Sequence, residues 1–155
     1  MITFIGDYPC KIDVKGRITL PVAFIKQMES SLQMSFVIKK DIFVNCLLLY
    51  PMNEWERQIK LLRSRLNPYN KEHNRFLREF SKGMAEVNLD SSKRLLIPKR
   101  LLDYAEISKE IILAGQDSKI EIWDATKYAE IGENQDEIGT LAEKILGNNF
   151  YENPE

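Results

Sequence analysis
A single histidine and two cysteines among 155 residues leave little material for a metal centre or a nucleophilic site. Cys10 and Cys46 lack paired zinc-ligand spacing and lie in apolar or strand-like stretches. They read as reduced, partly buried thiols, the common state of a free cysteine. His73 stands early in a helical segment with no cluster of cysteines or carboxylates beside it, so no metal site is expected there. One histidine also limits the usual general-base and triad schemes. No glycine-rich, phosphate-cradling loop is present. The expectation is a protein that is not an enzyme and that carries no cofactor and no metal. No apolar run approaches the ~18 residues that cross a bilayer. The opening Met-Ile-Thr-Phe-Ile-Gly-Asp has no basic leader, so a cytoplasmic protein without a membrane partner is expected.

Charge is scarce in sum and uneven in place. The formal net charge is −1. Residues 54–84 hold eight Lys or Arg against four Asp or Glu, whereas residues 121–155 hold two against nine. The acidic end is a poor surface for nucleic acid, and any phosphate binding has to come from a local basic patch. The basic stretch 54–84 reads as a solvated helix face.

What the chain does have is a repeat. Asp13-Val-Lys-Gly-Arg17-Ile-Thr-Leu-Pro21 returns as Asp90-Ser-Ser-Lys-Arg94-Leu-Leu-Ile-Pro98, a shift of 77 residues (90 − 13). A short apolar-faced segment follows each Pro, and then two β-rich stretches ending in Leu49-Tyr50 and Ile122-Trp123. Those ends match at a shift of 73, which places a loss of about four residues in the middle loop of the second copy. The organisation expected is a first repeat over 1–60, a helical connector over 61–83, a second repeat over 84–132 and a C-terminal helix and tail over 133–155. Each half alone would bury only about 60% of its unfolded surface, so the halves are expected to share one core.

Ile12, Val14, Ile18 and Leu20 share parity across Lys15-Gly16, which reads as a strand, a tight turn and a return strand. Pro21 suits the first turn of a short helix. Phe36–Asn45 and Cys46–Tyr50 read as a hairpin. A helix is expected from Asn53, with Glu56 completing a capping box. Asn67-Pro68 stops it. Asn70 caps the next helix, whose inner face is Phe76, Leu77 and Phe80, and Gly83 ends it. Asp136–Leu146 is a last amphipathic stretch. Trp55 and Trp123 read as core or interface anchors.

The Asp-turn-Gly-Arg element, a β-rich trio, Pro and a short helix resemble the looped-hinge motif of AbrB- and MazE-type proteins. Two such motifs separated by a helical hairpin, with Leu47-Leu-Leu-Tyr-Pro51, Trp55-Glu56 and Glu121-Ile-Trp123-Asp124, are similar to the MraZ family of bacterial regulators over about residues 1–146. The resemblance implies an α+β fold of two swapped-hairpin, AbrB-like β-barrel halves in pseudo-two-fold arrangement, joined by a helical hairpin, with a C-terminal helix. It implies a sequence-specific DNA-binding transcriptional regulator, nucleoid-associated, acting as an octameric or dodecameric ring. Its sites would be repeats upstream of the division and cell-wall gene cluster. It links Asp13/Arg17 and Asp90/Arg94 to the DNA-binding face.

Residue by residue, Asp13 and Asp90 read as loop-structuring groups paired with their arginines, since phosphates repel carboxylates. Gly16 supplies the left-handed turn. Arg17 can pin the turn, contact phosphate or read guanine through two hydrogen bonds. Lys15 at the loop tip and Lys11 are phosphate candidates, and Lys93 and Arg94 offer the same chemistry from the second copy. Lys93 stands where the first copy has Gly16. A lysine at positive φ carries a steric cost, so a different turn and unequal contacts with double-stranded DNA are expected. The rival reading is an antitoxin-like or scaffold protein-interaction module, with the acidic C-terminal segment capturing the partner.

Overall fold
The computed structural model describes residues 2–28, 35–132 and 134–147. The chain is α+β and divides into two compact units, Met1–Ala125 and Thr126–Glu155. The first copy of the repeat runs β1 (Asp7–Lys11), β2 (Arg17–Thr19), α1 (Val22–Gln27), β3 (Ser35–Lys40), β4 (Leu47–Pro51) and α2 (Met52–Arg65). After α3 (Lys71–Ser81) the plan recurs as β5 (Ala85–Asn88), β6 (Arg94–Leu96), α4 (Lys99–Tyr104), β7 (Glu110–Gln116), β8 (Lys119–Asp124) and α5 (Ala125–Glu130). The second unit ends in α6 (Gln135–Leu146).

The strands of the first unit form a six-stranded antiparallel sheet, β1-β7-β8-β4-β3-β5, and a two-stranded ribbon, β2-β6. Under the repeat β1 corresponds to β5, β3 to β7 and β4 to β8, so the strand order reads the same from either edge. The pairing registers fix where the two halves meet. Leu48 faces Glu121, its own counterpart at a shift of 73, and Ile18 faces Leu95, its counterpart at a shift of 77. A pseudo-two-fold axis therefore passes through both pairs.

This topology corrects the reading of residues 12–20 as strand, turn and return strand of one hairpin. β1 pairs with β7 and β5 pairs with β3, so each half donates its first strand to the other half's sheet. β2 pairs with β6 instead of β1. Val14 falls out of the shared parity, because it sits at the loop tip, fully exposed, while Ile12, Ile18 and Leu20 are buried. The registers also divide the missing residues. Ile38 opposes Leu49 and Leu113 opposes Ile122, a shift of 75 (113 − 38) between 77 and 73. Two residues are lost before β7 and two in the β7–β8 turn, instead of four in one loop.

One core lies between the sheet and the ribbon and draws on both copies, with Phe24, Phe36, Ile38, Leu95, Leu101 and Leu113 at its centre. Phe24 of α1 meets the rings of Phe4 and Tyr8 edge-on at 5.3 and 5.1 Å. Full burial of such a ring stabilises by roughly 2–3 kcal/mol. The chain before β1 crosses β7 so closely that a Cβ on Gly115 would sit 2.5 Å from the Phe4 carbonyl oxygen. Only glycine fits there.

The predicted strand to Asn45 stops at Lys40. Asp41 turns the chain by donating its N–H to Cys46 O and accepting from Phe43 N–H, which leaves Ile42, Phe43 and Val44 exposed. α2 begins at Met52, one residue before the expected start, with Pro51 as its N-cap and no side-chain cap. With Pro51 at the N-cap, Asn53 lies inside the helix and is not the N-cap of an Asn53–Glu56 box; its Oδ1 accepts from Glu54 N–H. Glu54, buried, does the anchoring. Its burial pushes the carboxyl up, and hydrogen bonds from Arg57, Gln58 and Ser118 outweigh that and hold it at about 2. Asn70 does cap α3, accepting from the N–H groups of Glu72 and His73. The expected inner face of α3 is not buried. Phe76 and Leu77 are 42% and 39% exposed, and only Phe80 tucks in, stacked 6.1 Å from Trp55 with Lys39 Nζ 4.1 Å from its ring centre. Trp55 and Trp123 are buried. No described helix is long and apolar enough to cross a membrane.

Candidate nucleic-acid interface
Each Asp-x-x-x-Arg loop closes on itself. In the first, Asp13 N–H donates to Arg17 O and Gly16 N–H to Asp13 O, both at 3.0 Å. Asp13 Oδ1 accepts from the N–H groups of Lys15 and Arg17, each at 2.9 Å, and Oδ2 accepts from Arg17 Nε at 2.7 Å. The second loop repeats every bond. Asp90 N–H reaches Arg94 O at 2.9 Å and Lys93 N–H reaches Asp90 O at 3.0 Å. Asp90 Oδ1 accepts from Ser92 and Arg94 N–H at 2.8 and 3.0 Å, and Oδ2 accepts from Arg94 Nε at 2.9 Å. The N–H of Arg17, then its side chain and the N–H of Lys15, hold the Asp13 carboxyl below its ordinary value against desolvation. Asp90 is held down in the same way, first by the N–H of Arg94.

The expected difference between the turns is therefore absent. Gly16 has φ +85° and Lys93 has φ 62°, so both occupy the left-handed region. Lys93 accepts the steric cost of a Cβ there, because the aspartate side chain and the ribbon define the loop on both sides. The loops also brace each other across the pseudo-dyad. Ile97 N–H donates to Gly16 O at 2.9 Å, and Leu20 N–H donates to Lys93 O at 3.1 Å.

In the ribbon Ile18 and Leu95 point into the core. Arg17 lies opposite Leu96, and Thr19 lies opposite Arg94. Side chains alternate along a strand, so Arg17, Thr19, Arg94 and Leu96 share the outward face. Arg17 and Arg94 are diagonal neighbours on it, about 7–8 Å apart. Among the described residues each guanidinium is bound only through Nε, and the side chains of Arg17 and Arg94 are 28% and 34% exposed, so the Nη groups remain available as donors. Lys15 and Lys93 are exposed on the two loops, shifted by one position relative to each other. Lys11 is elsewhere. It lies on β1 in the six-stranded sheet, opposite Glu110, which gives it a structural neighbour of opposite sign.

Val14, Thr19 and Leu96 share this surface and were not singled out from sequence. The signal for Thr19 and Leu96 is the two-residue period from each arginine. Val14 carried a misleading one, because it shares the strand parity of Ile12 and Ile18 although it sits fully exposed at the loop tip.

Among the described residues, one group of ligand-type side chains converges, Asp41, Cys46 and Glu121, with the candidate atoms within 4.8 Å of one another. With no ion bound, burial pushes the Cys46 thiol far up, Glu121 and Asp41 add to this, and the sulfur donates to Asp41 Oδ2 at 3.8 Å.

The profile of one family matches the chain twice in succession, over residues 3–79 and 80–146; its description is "MraZ protein, putative antitoxin-like". Relatives match along nearly their whole length. A protein of Christiangramia forsetii named transcriptional regulator MraZ is 43% identical over 153 residues, 98% of each chain. One of the same name from Flavobacterium psychrophilum is 40% identical, covering 96% of this chain and 94% of its own. Another from Clostridium acetobutylicum is 36% identical, covering 92% and 96%. These relatives are named for regulation and not for catalysis. With two consecutive profile matches over nearly all of its length, the chain belongs to the MraZ family.

Proposed function
We propose that the protein is a transcriptional regulator that binds double-stranded DNA sequence-specifically through the outward face of the β2–β6 ribbon and its two loops. The observation that carries this reading is that Arg17 and Arg94, both half-buried, lie on one face of the ribbon, each pinned to its aspartate through Nε. A guanidinium oriented in this way is prepared to take two acceptors of one guanine. A major groove about 12 Å wide admits a two-stranded ribbon. Lys15 and Lys93 contact flanking phosphates, with Lys11 a more distant contributor, and Val14 and Thr19 provide methyl groups for thymine. Asp13, Gly16 and Asp90 hold the loops and do not touch DNA.

The repeats 1–60 and 84–132 act as one reading unit, with 61–83 as the connector between them and 133–155 as an appendage. A chain of net charge −1 binds a polyanion by presenting several copies of this patch at once, in a ring whose spacing matches repeated sites. The targets are repeats upstream of the division and cell-wall gene cluster, which places the protein on the nucleoid.

The test is a titration with DNA from upstream of the protein's own gene against a scrambled duplex, over several salt concentrations. Preference for the native sequence is expected, with log affinity falling by about 0.9 per tenfold salt for each phosphate neutralised. Equal, salt-independent binding of both duplexes contradicts the reading.

A further inference from the structure
Two apolar surfaces far apart in sequence lie open to solvent. The first is the groove between α2 and α3, a cavity of about 390 Å³ lined by Ile59, Leu62, Leu66, Pro68, His73 and Leu77. Its walls are fixed, because Asn67 N–H donates to His73 Nδ1 at 2.8 Å and Asn74 Nδ2 to Pro68 O at 2.9 Å. The second is one side of α6. Ile138, Leu141, Ala142 and Ile145 recur at i, i+3, i+4 and i+7, and Ile138 and Ile145 are 53% and 67% exposed. That spacing is the anchor pattern of a helix laid in a groove.

Charge selects the match. α2 and α3 together carry seven basic against four acidic residues, and α6 carries one against three. Lengths agree as well. The 12 residues of α6 span about 18 Å and the 14 of α2 about 21 Å.

We propose that α6 of one copy docks in the α2–α3 groove of a second copy. Donor and acceptor are different surfaces, so the contact is head-to-tail. Every copy can both give and receive, and the assembly closes into a ring or grows. The contact is separate from the loops Asp13–Arg17 and Asp90–Arg94. It specifies how the oligomer invoked above is built, and it does not depend on whether that oligomer binds DNA.

Native mass of the full chain tests it, with Leu141→Asp in α6 and Leu77→Asp in the groove, both at exposed positions. The wild type is expected as a multi-chain species and each variant as a single chain. An equimolar mixture of the two variants is expected to form a two-chain species, because one intact α6 meets one intact groove. Should Leu77→Asp fail to fold, Arg63→Glu at the groove wall replaces it, with Leu141→Asp kept as its partner in the mixture. A wild type of one-chain mass, a variant that keeps the wild-type mass, or a mixture that stays at one chain overturns the proposal. The last result also covers α6 folding onto its own groove. DNA titration of the same samples is read separately, so loss of assembly with intact loops is distinguishable from failure of the DNA reading.

Discussion
The two Asp-x-x-x-Arg loops differ at every position between the acid and the base, Val-Lys-Gly in one and Ser-Ser-Lys in the other, yet they make the same five hydrogen bonds. The common determinant is the carboxylate that gathers two backbone N–H groups and the arginine Nε. Glycine eases the turn without defining it, since Lys93 adopts the same left-handed conformation. What differs is the surface each loop presents. The first has an exposed Val14 and Lys15 at its tip, and the second has two serines followed by Lys93. The backbone is therefore symmetric about the pseudo-dyad, and the surface chemistry of the loops is not.

Removing both arginines is the most severe way to break this comparison. Arg17→Ala/Arg94→Ala is expected to reduce binding to the native operator to the level of scrambled DNA, with native mass unchanged, as a competition titration would read. The aspartates come next. Asp13→Ala opens the first loop by removing three accepted hydrogen bonds, and is expected to weaken DNA binding although a negative charge has been deleted. Asp13→Asn keeps an oxygen for the Lys15 and Arg17 N–H groups and is expected to fall between Asp13→Ala and the wild type. If deleting the charge strengthens binding, the aspartate is not a loop-former.

Smaller effects separate the turns. A Cβ on Gly16 would meet the Ile97 carbonyl oxygen at 3.2 Å in a left-handed conformation. Gly16→Ala is expected to cost about 1–2 kcal/mol, and Lys93→Gly to gain about 1 kcal/mol by relieving the same strain. Thermal melts would show shifts of opposite sign, roughly 2–4 °C per kcal/mol for a chain of this size. Equal shifts of one sign would mean that the turns are not equivalent after all. The smallest effect is that of acid. Asp13 and Asp90 are held below their ordinary values, so their contribution is complete above the unfolded-state value near pH 4 and is lost as pH falls through the folded ones. Melts of Asp13→Asn against wild type are expected to differ at pH 6 and to converge as pH falls through the folded-state value of Asp13.

Much of this was legible in the sequence. The repeat, the shared core, the hairpin of β3 and β4 and the Asn70 cap follow from spacing and capping chemistry. Strand exchange follows from the swapped-hairpin resemblance and not from local pattern, because β1 and β2 stand beside each other in the chain, and nothing local says that their partners lie some 80–100 residues on. Val14 was misplaced for a related reason, since parity cannot be carried through a turn that separates two sheets. Phe76 and Leu77 fit a helical stripe, but periodicity identifies an apolar face without saying whether the same chain covers it. At the interface, Arg17 and Arg94 were visible as a motif. Their position as diagonal neighbours on one face needed the β2–β6 register.

The central claim is that both arginines act on DNA from one face. It is tested most directly by the salt dependence of operator binding for wild type, Arg17→Ala and Arg94→Ala side by side. Each single change is expected to lower affinity roughly 10- to 100-fold and relax preference for the native sequence. If either variant keeps the wild-type preference and salt slope, the two loops do not read DNA together.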